Sequence, residues 1–284
     1  MRRPVLGLLM GLLMVGPLGG WGRVGAETIT AFCGAATKPA MEEAARAFEG
    51  ETGTKVYLNF GGSGTVLSQM KLSKTGDLFI PGTLDYMEKA KEEGLVHGET
   101  ERILAYLIPA ILVQRGNPKD IESLADLARP GIRVGIGNPE AVCVGLYAIE
   151  LLQYNGLLEK VAGNIVTYAE SCSKTAALVV LGAVDAVIGW RVFSKWHPRA
   201  IEAVYLRPEQ IPRIAYVPGA ISVFCKHRDS AQRFLDFLVS SEGRRIFARW
   251  GYLATEAEAR RFAPQAKIGG EYRLPAAYYK LRGR

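Results

Sequence analysis

Four short turns carry the residues whose types could do chemistry. The first is Phe60-Gly61-Gly62-Ser63-Gly64-Thr65, which follows the apolar run Val56 to Phe60 and leads into a helical pattern at Val66, Leu67 and Met70. A strand, a glycine-rich turn and a helix start present free backbone N–H groups and the positive end of a helix dipole to one point, which suits an anion. The turn has no Lys after its last glycine and lacks the third glycine of the dinucleotide fingerprint, so both nucleotide readings fail. The alternative is a plain helix start with Ser63 as its cap. The same design recurs at Gly34 to Thr37, Ala141 to Gly145 and Glu170 to Ser173.

Three of the four cysteines, Cys33, Cys143 and Cys172, lie in or beside these turns, while Cys225 falls within an apolar strand and reads as a small core residue. In an exported chain the default is disulfide bonding, with three pairings open to four cysteines. A Cys143–Cys172 bridge would staple two adjacent turns, and a bridge from Cys33 across a cleft would lock it. Alternatively, reduced thiols at helix starts suit a thiophilic solute, arsenite or a soft metal ion. A third alternative is an enzyme with one of these cysteines as nucleophile. That needs a base, yet His97, His197 and His227 are dispersed, and only Glu170 and Glu140 lie near the turns.

Two bodies must bring the turns together. Strand, turn and helix alternate over Thr28 to Phe48, Val56 to Met70 and Asp77 to Glu93, which predicts a parallel sheet. Ile103 to Arg115, broken at Pro109, reads as a strand leaving that sheet. A second body follows: a short helix over Ile121 to Ala128, strands at Ile132 to Ile136, Ile165 to Ala169 and Asp185 to Trp190, and helices over Gly145 to Tyr154 and Lys174 to Leu181. Ile214 to Lys226 returns the chain, and helices over Ser230 to Val239 and Glu242 to Trp250 finish the first body. Asp77 and Asp185 open their strands and are expected to satisfy turn backbone. The expectation is an α/β protein of two lobes, each a mainly parallel sheet flanked by helices, joined by two hinge strands. Lobe 1 is drawn at 27–107 plus 218–284 and lobe 2 at 108–217, with the ligand beyond the strand carboxyl ends. The tail beyond Thr255 shows no periodicity and is given no role.

The chain has 284 residues, 49% of them hydrophobic and 22% charged, which is enough for two cores. Arg2 and Arg3, an apolar run from Val5 to about Leu18, and Val24-Gly25-Ala26 read as a signal peptide over 1–26. The product is expected to be periplasmic or extracellular, without a lipid anchor because Phe32 precedes Cys33. Losing Arg2, Arg3 and Arg23 takes the formal charge from +7 to +4, too mild for a nucleic-acid binder.

In these residues the chain resembles the molybdate-binding periplasmic proteins of ABC importers, members of the type II solute-binding fold. The resemblance is carried by Phe32 to Met41, Phe60 to Gln69, Gly76-Asp77-Leu78-Phe79-Ile80, Val134 to Glu140 with Gly145, Tyr147 and Ala148, and Gly182 to Ala186. It implies capture of a tetrahedral dianion, molybdate or tungstate, by serine hydroxyls, helix-start N–H groups and one tyrosine hydroxyl. It also implies no cofactor, no catalysis, an ABC permease as partner and a monomer. Mapped onto this chain, the ligand set is Ser63 with Gly64, Ala36 where the family has a serine and Thr37 as its substitute, the backbone at Val144 and Cys172, and Trp190 where the family has its tyrosine. An unprotonated oxyanion suits a pocket made only of donors, whereas a protonated one brings a donor without an acceptor.

Overall fold

The structure is a computed structural model describing residues 27–281 and 283, so the expected leader lies outside the described residues. In chain order the strands are β1 (Thr28–Gly34), β2 (Lys55–Gly61), β3 (Leu78–Ile80), β4 (Val96–Leu107), β5 (Pro109–Gln114), β6 (Val134–Gly137), β7 (Ile165–Ala169), β8 (Ala186–Trp190), β9 (Ile201–Val204), β10 (Arg213–Ser222) and β11 (Lys267–Ile268). The helices are α1 (Lys38–Thr52), α2 (Ser63–Ser73), α3 (Leu84–Glu92), α4 (Cys143–Tyr154), α5 (Leu158–Ala162), α6 (Cys172–Val180), α7 (Phe193–Trp196), α8 (Arg228–Val239), α9 (Ser241–Arg249), α10 (Glu256–Arg260) and α11 (Ala276–Leu281). The segment expected as a helix over Ile121 to Ala128 closes only one 3-10 turn, Ala125–Ala128.

The strands form two sheets. The first runs β11-β10-β3-β1-β2, with β4 also paired to β10, and the second runs β7-β6-β8-β5-β9. Both repeat one plan. In the first, β1 lies between β2 and β3, all parallel; in the second, β6 lies between β7 and β8, all parallel. Placing the first strand of a unit between the second and third makes consecutive connections diverge on either side of it, and a crevice opens at its carboxyl end. The two crevices face each other.

Buried aspartates fix the two plans alike. Asp77 Oδ2 accepts the Thr30 N–H and Asp185 Oδ2 accepts the Arg133 N–H, each at 2.8 Å, so the third strand is tied to the start of the first in both lobes. Burial alone would raise the Asp77 carboxyl, but N–H groups of Thr30, Lys226 and His227 hold it below the usual carboxylate range.

Pro109 separates the outgoing stretch into two strands of different sheets: β4 pairs β10, and β5 pairs β8 and β9. The return pairs Ala215 with Leu107, so the two crossings lie side by side as a double hinge. The tail departs from expectation. Drawn with lobe 1, it instead places Ala259, Ala263, Ala266 and Tyr278 in the apolar cluster of the second sheet, beside Leu158 and Val161 of α5. β11 pairs with the first two residues of β10 on the way. Among the described residues no helix is long and apolar enough to cross a membrane.

Candidate functional site

Three helices begin at the seam between the lobes: α2 at Ser63, α4 at Cys143 and α6 at Cys172. Their first residues are all buried. The lobes touch through backbone here, the Gly64 N–H donating to the Ala141 carbonyl at 3.0 Å and the Ser173 hydroxyl to the Ala35 carbonyl at 3.5 Å. Close approach requires glycine at two positions. A Cβ on Gly62 would lie 2.8 Å from both the Ala141 and Glu170 carbonyl oxygens, and one on Gly82 would lie 2.5 Å from the Cys143 sulfur and 2.9 Å from the Ala36 Cβ. Real Cβ atoms do not approach so closely, so these glycines let the walls meet.

Ser63 reaches the seam but not as a helix cap. Gly62 is the cap residue of α2, and the Ser63 hydroxyl accepts the Gly82 N–H at 3.0 Å while keeping its own proton to donate. Thr37, expected to replace the serine missing at Ala36, is turned away: its hydroxyl donates to the Gly34 carbonyl at 2.9 Å. Ala36 is fully buried against Gly82, and its carbonyl accepts the Tyr252 hydroxyl. The Gly64 N–H, expected to face a ligand, is used between the lobes.

The second lobe supplies sulfur where donors were expected. Cys143 and Cys172 bring their sulfurs to 3.5 Å as free thiols. The Val144 N–H and the Trp190 indole N–H lie against the Cys172 sulfur and favour its ionised form, but burial and the neighbouring Cys143 outweigh them and push the thiol well above its ordinary range. The indole makes no hydrogen bond of ordinary geometry there. Cys33 is apart, buried in β1 with its thiol directed to the Ala31 carbonyl at 3.6 Å and pushed up by burial. The expected three-sulfur cluster is therefore two sulfurs, and no group of three Cys, His, Asp or Glu side chains among the described residues could hold a metal ion.

Sequence reasoning missed the turn after β3. Pro81-Gly82-Thr83 was legible as a turn, yet it supplies both the Gly82 N–H that anchors Ser63 and a fully buried Thr83 hydroxyl. Tyr147 meets Trp190 edge to face at 4.9 Å and carries the Arg213 guanidinium 3.9 Å from its ring centroid. The hydroxyls of Thr83 and Tyr147 and the Trp190 indole N–H are all buried with no hydrogen-bond partner among the described residues. An unmatched buried polar group costs about 1–3 kcal/mol. Asp85 Oδ2, an acceptor in the first turn of α3, is likewise buried without a partner.

Behind this wall Arg213 joins the lobes. It is 2% exposed and donates to Glu150 of α4 and Asp85 of α3, each at 2.8 Å, and to the Gly270 carbonyl of the tail. Burial would lower its pKa, but the Tyr147, Asp85 and Glu150 groups hold the guanidinium charged. Tyr272 completes the seam, its N–H donating to Asp85 at 3.2 Å and its hydroxyl to Gln153 of α4.

The family described as bacterial extracellular solute-binding protein matches residues 29–253. A putative binding protein of Haemophilus influenzae is 28% identical over 230 residues, covering 81% of this chain and 92% of that one. The molybdate-binding protein ModA of Escherichia coli is 26% identical over 265 residues, covering 89% and 99%. Among solved structures, the periplasmic molybdate-binding protein of Azotobacter vinelandii superposes with a TM-score of 0.72 at 19% identity, over 80% of this chain and all of that one.

Proposed function

The chain belongs to the bacterial extracellular solute-binding proteins, and from that premise we propose that it captures a small tetrahedral oxyanion, molybdate or tungstate, between its lobes and delivers it to an ABC permease. The observation that carries this reading is the convergence of three helix starts on a seam where three buried donors lack partners. Helix dipoles and neutral donors stabilise an unprotonated dianion without a counter-charge. The molybdate named for the Escherichia coli and Azotobacter vinelandii relatives supports the same ligand class. The proposed donor set is the hydroxyls of Ser63, Thr83 and Tyr147, the Trp190 indole and the N–H groups at Val144 and Cys172. Binding drives closure because donors from both lobes are satisfied together. Lobes divided near residues 107 and 213 give the hinge for that motion. A leader over 1–26 would carry the mature protein across the cytoplasmic membrane, and the proposed working form is a monomer.

Solute capture is favoured over thiol catalysis by the state of the sulfurs. A nucleophilic cysteine needs a lowered pKa or an adjacent base. Burial instead holds Cys172 up, and Glu170, the carboxylate nearest to it in sequence, is exposed and paired with Lys174. Calorimetry of the reduced mature protein against molybdate, tungstate, sulfate and phosphate tests the reading. Binding of the first two in preference to the last two is expected, and no heat with any of the four would refute it.

A further inference from the structure

The paired sulfurs are unused by oxyanion capture, and their placement is specific. Cys143 and Cys172 are the first residues of α4 and α6 and are 1% and 2% exposed, and the Cys143 sulfur faces the wall formed by Gly82 and Ser63. We propose that this pair is a two-sulfur clamp for the neutral trihydroxide of a trivalent group-15 metalloid, with arsenite as the type ligand. The proposal rests on the interlobe seam being the solute site.

Spacing selects the ligand geometry. With bonds to sulfur of about 2.3 Å, an angle near 100° at the central atom spans roughly 3.5 Å between sulfurs, whereas a linear arrangement needs about 4.6 Å. The observed 3.5 Å fits a pyramidal centre without moving either helix. A two-coordinate soft cation would have to force the helix starts apart. Charge selects in the same direction. Burial keeps the Cys172 thiol protonated, and no cation or carboxylate is hydrogen-bonded to either sulfur in the described structure. Condensation with a trihydroxide leaves the site neutral. Each thiol proton joins a departing hydroxide as water, two sulfur–metalloid bonds replace two oxygen–metalloid bonds, and the metalloid stays trivalent with one hydroxyl. That hydroxyl meets a wall carrying the Ser63 hydroxyl, and the Trp190 indole N–H already lies against one of the sulfurs. Soft thiol ligands match a thiophilic centre in a way that a hard oxo-dianion cannot use.

The test uses the full mature protein, reduced and freed of reductant, titrated with sodium arsenite. Native mass spectrometry reads the adduct, and thermal shift with arsenite and with molybdate reads stabilisation. One arsenic per chain is expected, with two thiols lost to a thiol-counting reagent and a raised melting temperature. Cys143→Ser and Cys172→Ser should each weaken the adduct at least tenfold, while Cys33→Ser and Cys225→Ser should keep it. Melting curves without ligand establish that each variant folds. No adduct, an adduct that survives both Cys143→Ser and Cys172→Ser, or exported protein recovered with the two cysteines bridged would overturn the clamp. If molybdate still stabilises the wild type in those cases, the clamp fails and the oxyanion site stands. Failure of both arsenite and molybdate to stabilise the wild type overturns both readings.

Discussion

Gly62→Ala isolates lobe closure from lobe folding. Gly62 has φ −60° and ψ 143°, a conformation any residue adopts, so alanine does not strain the first lobe. Removing glycine freedom from the unfolded chain even favours folding by about 0.4–1 kcal/mol. The new methyl instead meets the opposite lobe, 2.8 Å from two carbonyl oxygens and 3.1 Å from a Val142 methyl. Overpacking of this kind costs about 1–3 kcal/mol. Pushing the turns apart also breaks the Gly64 to Ala141 hydrogen bond, for about 0.5–1.5 kcal/mol. Both costs fall on the closed state alone, together roughly 1.5–4.5 kcal/mol, or about a 10- to 2,000-fold loss of oxyanion affinity. Calorimetry with molybdate should show that loss, while the melting temperature without ligand stays equal or rises. Affinity within threefold of wild type, in a protein that melts normally, would refute the claim that the lobes must meet at Gly62 to hold the solute.

Three further outcomes follow from the same geometry. Trp190→Phe keeps the ring against Tyr147 but removes the indole N–H, so molybdate affinity should fall about 2- to 10-fold; unchanged affinity in titration removes Trp190 from the donor set. Arg213→Met leaves Asp85 and Glu150 facing each other without their cation and should destabilise the protein by about 3–5 kcal/mol in urea unfolding; a loss under about 1 kcal/mol would contradict it. Asp77 has a lowered folded pKa, so its stabilisation is complete above the unfolded value of about 3.9 and is lost as pH falls through the folded value. Melting temperatures of wild type and Asp77→Asn should therefore converge as pH falls below the ordinary carboxylate range, and parallel curves would show that the carboxylate contributes nothing.

Much of the architecture is visible in residue order because its determinants are local. The turn Gly61 to Thr65 sits between an apolar strand and a helical stripe, and Asp77 and Asp185 mark the starts of equivalent third strands. Pro109 falls where the chain changes sheets. What escaped depended on contacts between distant segments. Thr37 looked like a free hydroxyl, and only the fold shows Gly34 taking its proton. Gly82 and Thr83 had the signature of a turn, but their importance comes from the Cys143 and Ser63 side chains that converge on them. The tail lacks periodicity because its elements are short, α10 and α11 having five and six residues and β11 two. Its ordering comes from Tyr278 in a core that includes Leu158 and Val161, more than a hundred positions earlier.

That tail has a mechanical consequence. Between β11 and α11 the chain fastens Gly270 to the hinge arginine and Tyr272 to both α3 and α4, one from each jaw. Any swing that parts those two helices must first peel the tyrosine from one of them. The far end of the polypeptide thus works as a clasp that limits how wide the mouth can gape.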